Sequence, residues 1–219
     1  QMEYLPPADI TAEAVKDADA LIVRTRTKCD KDLLEGSKVR LVVTATIGTD
    51  HIDIPYCLKQ RIIIASAGGC NARGVLQWVA AALKQVAMAD NKRPEEYTLG
   101  VVGVGNVGSL VVEYARHWGF RVLMCDPPRH EREGGEYYPI ETIAHEADII
   151  TLHTPLDHTT HHLVESALIA TMRPNVVIIN GSRGAGVGNR AVMESRHRYV
   201  FDVWEDEPNL NEDILRGAM

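Results

Sequence analysis

The chain lacks any apolar run near the ~20 residues that a membrane-spanning helix needs, and nothing at its start reads as a signal peptide. A cytoplasmic protein with no membrane partner is therefore expected. Cysteine is scarce. Cys29, Cys57, Cys70 and Cys125 form no Cys-x-x-Cys pair, and three of them lie in or beside apolar segments. Reduced, buried thiols are expected rather than a disulfide framework. Positive charge is also short: 23 basic against 30 acidic residues leave a net charge of −7. That argues against a general nucleic-acid or membrane-surface binder. Anionic small molecules remain open, because a few local arginines can hold them. There are no internal repeats and no low-complexity tract.

What is present is a regular alternation. Short β-branched runs at 20–24, 40–45, 61–65, 99–104, 121–125, 148–152, 175–180 and 198–203 read as strands. Their near-continuous apolar character suits parallel strands buried on both faces. Helical patterns at 30–36, 52–60, 71–90, 106–118, 164–171, 187–196 and 211–216 fill the gaps. The order predicts an α/β, doubly wound architecture with parallel sheets. Residues 1–70 and 98–219 form two halves, joined by a helix capped by Asn71 and a polar hinge at 91–97. Val75, Leu76, Val79, Leu83 and Val86 line one face of that helix, as core packing or as a subunit interface.

The most informative segment runs from Thr98 to Asp126. An apolar strand feeds Gly103-Val104-Gly105-Asn106-Val107-Gly108, a helix follows, and a second strand closes on Asp126. A bare G-x-G-x-x-G is weak, but between strand and helix, with an acid at the next strand's end, it is strong. Gly103 permits the tight turn, Gly105 lets a pyrophosphate approach the backbone, and Gly108 allows close helix packing. The N–H groups at the start of the helix, Asn106 and Val107 first, then face the phosphates. Asp126 would accept hydrogen bonds from the adenosine ribose hydroxyls and repel a 2′-phosphate. NAD is expected over NADP, with Arg129 three residues on as a softening influence.

Polar clusters stand at other strand ends: Arg24-Thr25, Thr44 to His51, His153-Thr154-Pro155, Asn180 to Gly184, and Asp202 to Pro208. An arginine in a glycine-flanked loop can grip a carboxylate bidentately. A carboxylate such as Glu207 can orient a catalytic histidine, and an Arg–Glu structural salt bridge is the plainer alternative. His158, His161 and His162 suggest a metal cluster, but no carboxylate or cysteine sits at ligand spacing. They read as a solvated loop, as do Arg129 to Glu133, and no metal is expected. The three tryptophans read as packing residues, with Trp204 a possible wall of the nicotinamide pocket.

These segments resemble the D-2-hydroxyacid dehydrogenases. TATIGTDHID (44–53), GCNARGV (69–75), GVGNVG, CDPPR (125–129), HTPL (153–156), NGSRG (180–184) and DVWEDEP (202–208) occur in family order over nearly the whole chain. CDPPR above all is similar to the branch that oxidises 4-phospho-D-erythronate in vitamin B6 biosynthesis. The resemblance implies two Rossmann-like domains, with 1–70 an incomplete flavodoxin-like substrate domain and 98–219 the NAD-binding domain. It implies that Arg183 holds the substrate carboxylate and Glu207 pairs with the catalytic histidine. Thr154 would line the cofactor, Asp202 would reach the nicotinamide carboxamide, and Thr25 and Thr46 would touch substrate. Arg24 is a candidate for the substrate phosphate. The substrate would be a small phosphorylated 2-hydroxy acid, and the assembly a homodimer.

One departure stands out. The family's histidine follows the Glu-Pro dipeptide in a motif like Pro-His-Ile-Ala-Gly, and these 219 residues contain none. Stretch 184–198 is short for the family, and Gly186 and Gly188 sit poorly in a helix. An incomplete record of a longer protein is the expectation. His51 and His153 are the candidate substitutes for proton transfer. Two other readings stay open: a different dehydrogenase of the family, such as one acting on 3-phosphoglycerate, and a non-catalytic NAD-sensing interaction protein like the C-terminal-binding corepressors.

Overall fold

The apolar runs become strands. In the structure, a computed structural model that describes residues 2–46 and 48–207, the chain divides into two compact units, 1–71 and 72–219. The expected helix 211–216, together with Ile47 and Pro208, lies outside the described residues.

The first unit holds β1 (Ala20–Val23), β2 (Leu41–Thr44) and β3 (Ile63–Ser66) in a parallel sheet of that order. Helices α1 (Ala12–Val15), α2 (Lys31–Leu34) and α3 (Ile54–Lys59) connect them. Each begins on a side-chain cap: Thr11, Asp30 and Asp53 accept from backbone N–H groups three residues on. Val15, Val23, Leu33, Leu34 and Val42 form its core. Ile22 and Ile63, which alternate with the core-facing positions of their strands, remain 68% and 66% exposed.

The second unit opens with α4 (Ala72–Asp90), followed by β4 (Thr98–Val102), α5 (Asn106–His117) and β5 (Arg121–Cys125). Then come α6 (Pro127–Glu133), α7 (Ile140–Glu146), β6 (Ile149–Leu152), α8 (Ser166–Ile169), β7 (Val177–Asn180), α9 (Asn189–Glu194) and β8 (Arg198–Phe201). All its strands pair in parallel, in the order β5-β4-β6-β7-β8. Both sheet faces are covered: α4 and α5 pack through Leu76, Val79, Leu83, Val111 and Ala115 on one, and Ile143, Ala144 and Ile169 pack on the other. Helix α4 thus belongs to the second unit's own core, and the hinge expected at 91–97 holds a short 3-10 turn, Pro94–Glu96.

Two further expectations change. Residues 129–133 are not a loop but the body of α6, which starts on Asp126 as N-cap with prolines in its first turn. The helix expected at 187–196 spans only Asn189–Glu194, because Gly184–Gly186 form a 3-10 turn and Val187 bridges to Val164.

Candidate nucleotide-binding site

The strand order sets the site. The order in which strands are added across the sheet reverses about β4, which has β5 on one side and β6 on the other. Such a switch point opens a crevice at the carboxyl ends of the strands. The turns along that rim carry, in spatial order, Asp126, the glycine loop, His153-Thr154, Gly181 to Arg183, and Asp202 to Glu207.

The glycine loop behaves as its spacing implies. Gly103 has φ of +85°, and a Cβ there would come within 2.8 Å of the His153–Thr154 backbone. A Cβ on Gly108 would sit 1.9 Å from the Gly103 carbonyl oxygen, so the first turn of α5 lies directly on the loop. Gly105 differs: it is exposed, and a Cβ there would meet nothing within 4 Å. Asn106 is exposed beside it, and no side chain caps α5. A bare helix N-terminus behind an open glycine fits a diphosphate, whose charge the first-turn N–H groups and the helix dipole favour.

Asp126 is engaged by the backbone on both sides. Its Oδ2 accepts from Val104 N at 2.8 Å and its Oδ1 from Arg129 N at 2.9 Å, so one carboxylate ties the glycine loop to the start of α6. Each oxygen keeps a further lone pair for a hydroxyl. Arg129 is turned inward instead of lying in solvent. Its Nη1 donates to the Val104 carbonyl and, at 2.7 Å, to Ser109 Oγ, while Nε donates to Glu133 at 2.9 Å. Through Nη1 and Nε the guanidinium is a brace for the loop. Sequence reasoning missed this role; the signal was the CDPPR turn, which delivers Arg129 one helical turn after Asp126.

At the end of β6, His153 Nε2 lies 3.0 Å from Thr151 Oγ1, and burial pushes its imidazole down to about 4. A ring held neutral so far below its ordinary range is a poor proton acceptor, so His153 does not fit the substitute role considered for it. Thr154 is half-buried next to it. After β7, fully buried Asn180 builds the turn that presents Arg183. Its Nδ2 donates to the Arg183 carbonyl at 2.9 Å, and its Oδ1 accepts from Ser182 N and Oγ at 3.1 and 3.0 Å. Arg183 Nη1 donates to the Ser182 carbonyl at 3.0 Å. After β8, exposed Asp202 is fixed through its N–H to the Asn180 carbonyl, and exposed Glu207 accepts from Trp204 N at 2.8 Å.

The histidine loop also differs from its expectation. Glu205 reaches His162, whose Nε2 is 2.5 Å from Glu205 Oε1, and the His161 and His162 rings stack at 4.0 Å. Ligand atoms of His161, His162 and Glu205 lie within 4.8 Å of one another. The His162 and Glu205 atoms are nonetheless in direct hydrogen bond, closer than two ligands of one ion sit. In the first unit, Thr25 and Thr46 stand two residues beyond the paired strand ends Val23 and Thr44; Thr25 is exposed, and Thr46 Oγ1 is 2.6 Å from Thr44 Oγ1. Arg24 is exposed and His51 buried. An apolar groove of about 600 Å³ lies elsewhere, between Leu83, Ala87, Met88, Pro94, Trp118 and Phe120, near the amino ends of β4 and β5.

Residues 73–218 match the family model for the NAD-binding domain of the D-isomer specific 2-hydroxyacid dehydrogenases. The chain belongs to that family. Among relatives of these dehydrogenases, it is 45% identical to a protein of Bacteroides thetaiotaomicron named erythronate-4-phosphate dehydrogenase, over 99% of this chain and 65% of that one. It is 44% identical to one of the same name from Ectopseudomonas mendocina, over 96% of this chain and 57% of that one. The chain thus spans about three-fifths of the length of the relatives it matches. A solved NAD+-bound 3-phosphoglycerate dehydrogenase of Entamoeba histolytica superposes with a TM-score of 0.83 at 28% identity, covering 98% of this chain and 73% of that one. A D-lactate dehydrogenase of Aquifex aeolicus, solved with NAD and lactic acid, gives 0.79 at 24% identity, covering 95% and 74%, a likeness of fold. No helix among the described residues is long and apolar enough to cross a membrane.

Proposed function

We propose that the protein oxidises a phosphorylated D-2-hydroxy acid, 4-phospho-D-erythronate, to its 2-oxo acid with NAD. The observation that carries this reading is the rim itself, where Asp126, the glycine loop and Arg183 follow the carboxyl ends of β5, β4 and β7 of one sheet. The relatives' shared name supports the substrate. Gly103, Gly105, Asn106, Val107 and Gly108 would hold the diphosphate, Asp126 the adenosine ribose, and Thr154 and Asp202 the nicotinamide end. Bound there, NAD supplies a hydride acceptor.

The remaining work falls to side chains. Arg183 binds the substrate carboxylate through its two-pronged guanidinium and draws charge from the C2 oxygen as the carbonyl forms. Glu207 orients the neutral histidine that takes the hydroxyl proton, the residue the family carries beyond the Glu-Pro dipeptide, and stabilises the imidazolium that results. Thr25 and Thr46 contact substrate, and Arg24 offers a cation to its phosphate. A homodimer and a cytoplasmic location belong to the same reading.

The test is NAD-coupled oxidation of 4-phosphoerythronate by the native protein, followed by NADH absorbance. Turnover that falls at least a hundredfold in Arg183→Ala is expected. Oxidation of 3-phosphoglycerate in preference would move the substrate within the family. NAD binding without turnover on any 2-hydroxy acid would favour the NAD-sensing alternative.

A further inference from the structure

Loop 183–189 is gripped from two sides by segments far from it in sequence. On one side, His162 N donates to the Ala185 carbonyl at 2.8 Å, Val164 N to Gly186 O at 3.0 Å, and Gly188 N to Val164 O at 3.1 Å. The His162 ring also packs on Gly188: a Cβ there would lie 3.7 Å from it. On the other side, Glu205 Oε2 accepts from Asn189 N at 3.1 Å, and the Glu205 carbonyl from Asn189 Nδ2 at 3.2 Å. Gly184 lies so close to the Trp204 backbone that a Cβ would come within 2.0 Å. One interaction joins the two jaws, the bond between His162 and Glu205 across 43 residues. His162 holds φ of +50° to make it, an uncommon conformation for a residue with a side chain.

We infer that the His162–Glu205 pair is a clasp that positions Arg183, closing segments 162–164 and 204–205 around the loop that begins with that arginine. The inference rests on the reading of Arg183 as the substrate-carboxylate ligand. In this reading each member of the pair acts on Arg183 through the loop. Burial works against an ionised Glu205, yet the hydrogen bonds from His162 and from Asn189 N–H hold its carboxyl below the ordinary range. Glu205 therefore stays an acceptor through neutral pH. Besides His162, the titratable group that also favours the ionised carboxylate is His161, whose ring lies against that of His162.

The experiment compares His162→Ala, Glu205→Gln and His162→Gln with the parent protein, by amide hydrogen exchange and by steady-state kinetics. Gln carries its amide nitrogen near the imidazole Nε2 position and keeps a donor for Glu205. In His162→Ala, exchange at the amides of 185–189 should rise at least tenfold while 103–108 stay as protected as before. KM for the hydroxy acid should rise about tenfold, with the NAD Kd unchanged and His162→Gln restoring most of the loss. Unchanged exchange at 185–189 in His162→Ala would overturn the clasp, whatever the catalytic result. Loosened exchange with unchanged KM would leave the clasp but overturn its role in positioning Arg183. Absent turnover in the parent protein would count against the proposed reaction alone, since exchange is read without substrate. Loss of protection on adding EDTA to the parent would also overturn it, because the three side chains would then be acting as metal ligands.

Discussion

Gly105 and Gly108 stand three residues apart in one motif and serve different ends. Gly108 is required by the fold, because a methyl group would strike the Gly103 carbonyl. Gly105 is required only by what binds, since its Cβ direction is open and its φ of −80° suits any L-residue. Gly108→Ala should therefore cost about 2 kcal/mol or more of stability, the scale of a forced overpacking. Gly105→Val should leave the melting temperature within about two degrees while weakening NAD at least tenfold, because only the ligand meets the new side chain. Thermal denaturation beside an NAD titration separates the two. His153 gives a pH signature. Its folded-state value of about 4 lies below the ordinary 6.5, so between these values the unfolded chain takes up a proton that the folded chain refuses. Stability should fall as pH drops through that window, and the slope should be shallower in His153→Gln, as urea midpoints would record.

Elements are joined by a few polar contacts that local pattern cannot announce. Arg198, at the start of β8, donates to both carboxylate oxygens of Asp90 at the end of α4, at 2.6 and 2.9 Å, and Tyr97 Oη donates to the same group at 2.8 Å. The Arg198 hydrogen bond holds the Asp90 carboxyl below its ordinary value, while burial and then Asp90 push the Tyr97 phenol up to about 12. Arg198→Ala should destabilise by about 1 kcal/mol, discounted from a buried bidentate pair because the Arg198 side chain is 43% exposed. The contribution of Asp90 is present above its unfolded value and fades as pH falls through its lower folded one. A difference between parent and variant that persists unchanged in strong acid would refute this assignment. Strands β1 to β8 and helices α4 and α5 were legible because each carries its own apolar period. Helix α7 was overlooked although Ile140, Ile143, Ala144 and Ala147 stand at helical spacing. Helix α6 has no such face; a cap and two prolines define it. The Asp90–Arg198 and His162–Glu205 pairs span 108 and 43 residues, distances that no local window crosses.

The described residues form two parallel-sheet units, and the larger carries a nucleotide rim whose order follows from its strand order. Asp126, the glycine loop, Thr154, Arg183 and Asp202 are scattered over a hundred residues and gathered because every strand runs the same way. That much of the site was readable from motifs at strand ends. The inward turn of Arg129, the neutral His153 and the Glu205 bond were not, since each depends on burial or on a distant partner. The central claim is that Asp126, with Arg129 already engaged by Val104 and Ser109, makes this an NAD site. Calorimetric titration of the protein with NAD and then NADP tests it most directly. The account predicts measurable binding of NAD and at least tenfold weaker binding of NADP, because a 2′-phosphate would face the Asp126 carboxylate while Arg129 beside it is already engaged through Nη1 and Nε. Equal or tighter binding of NADP would contradict it.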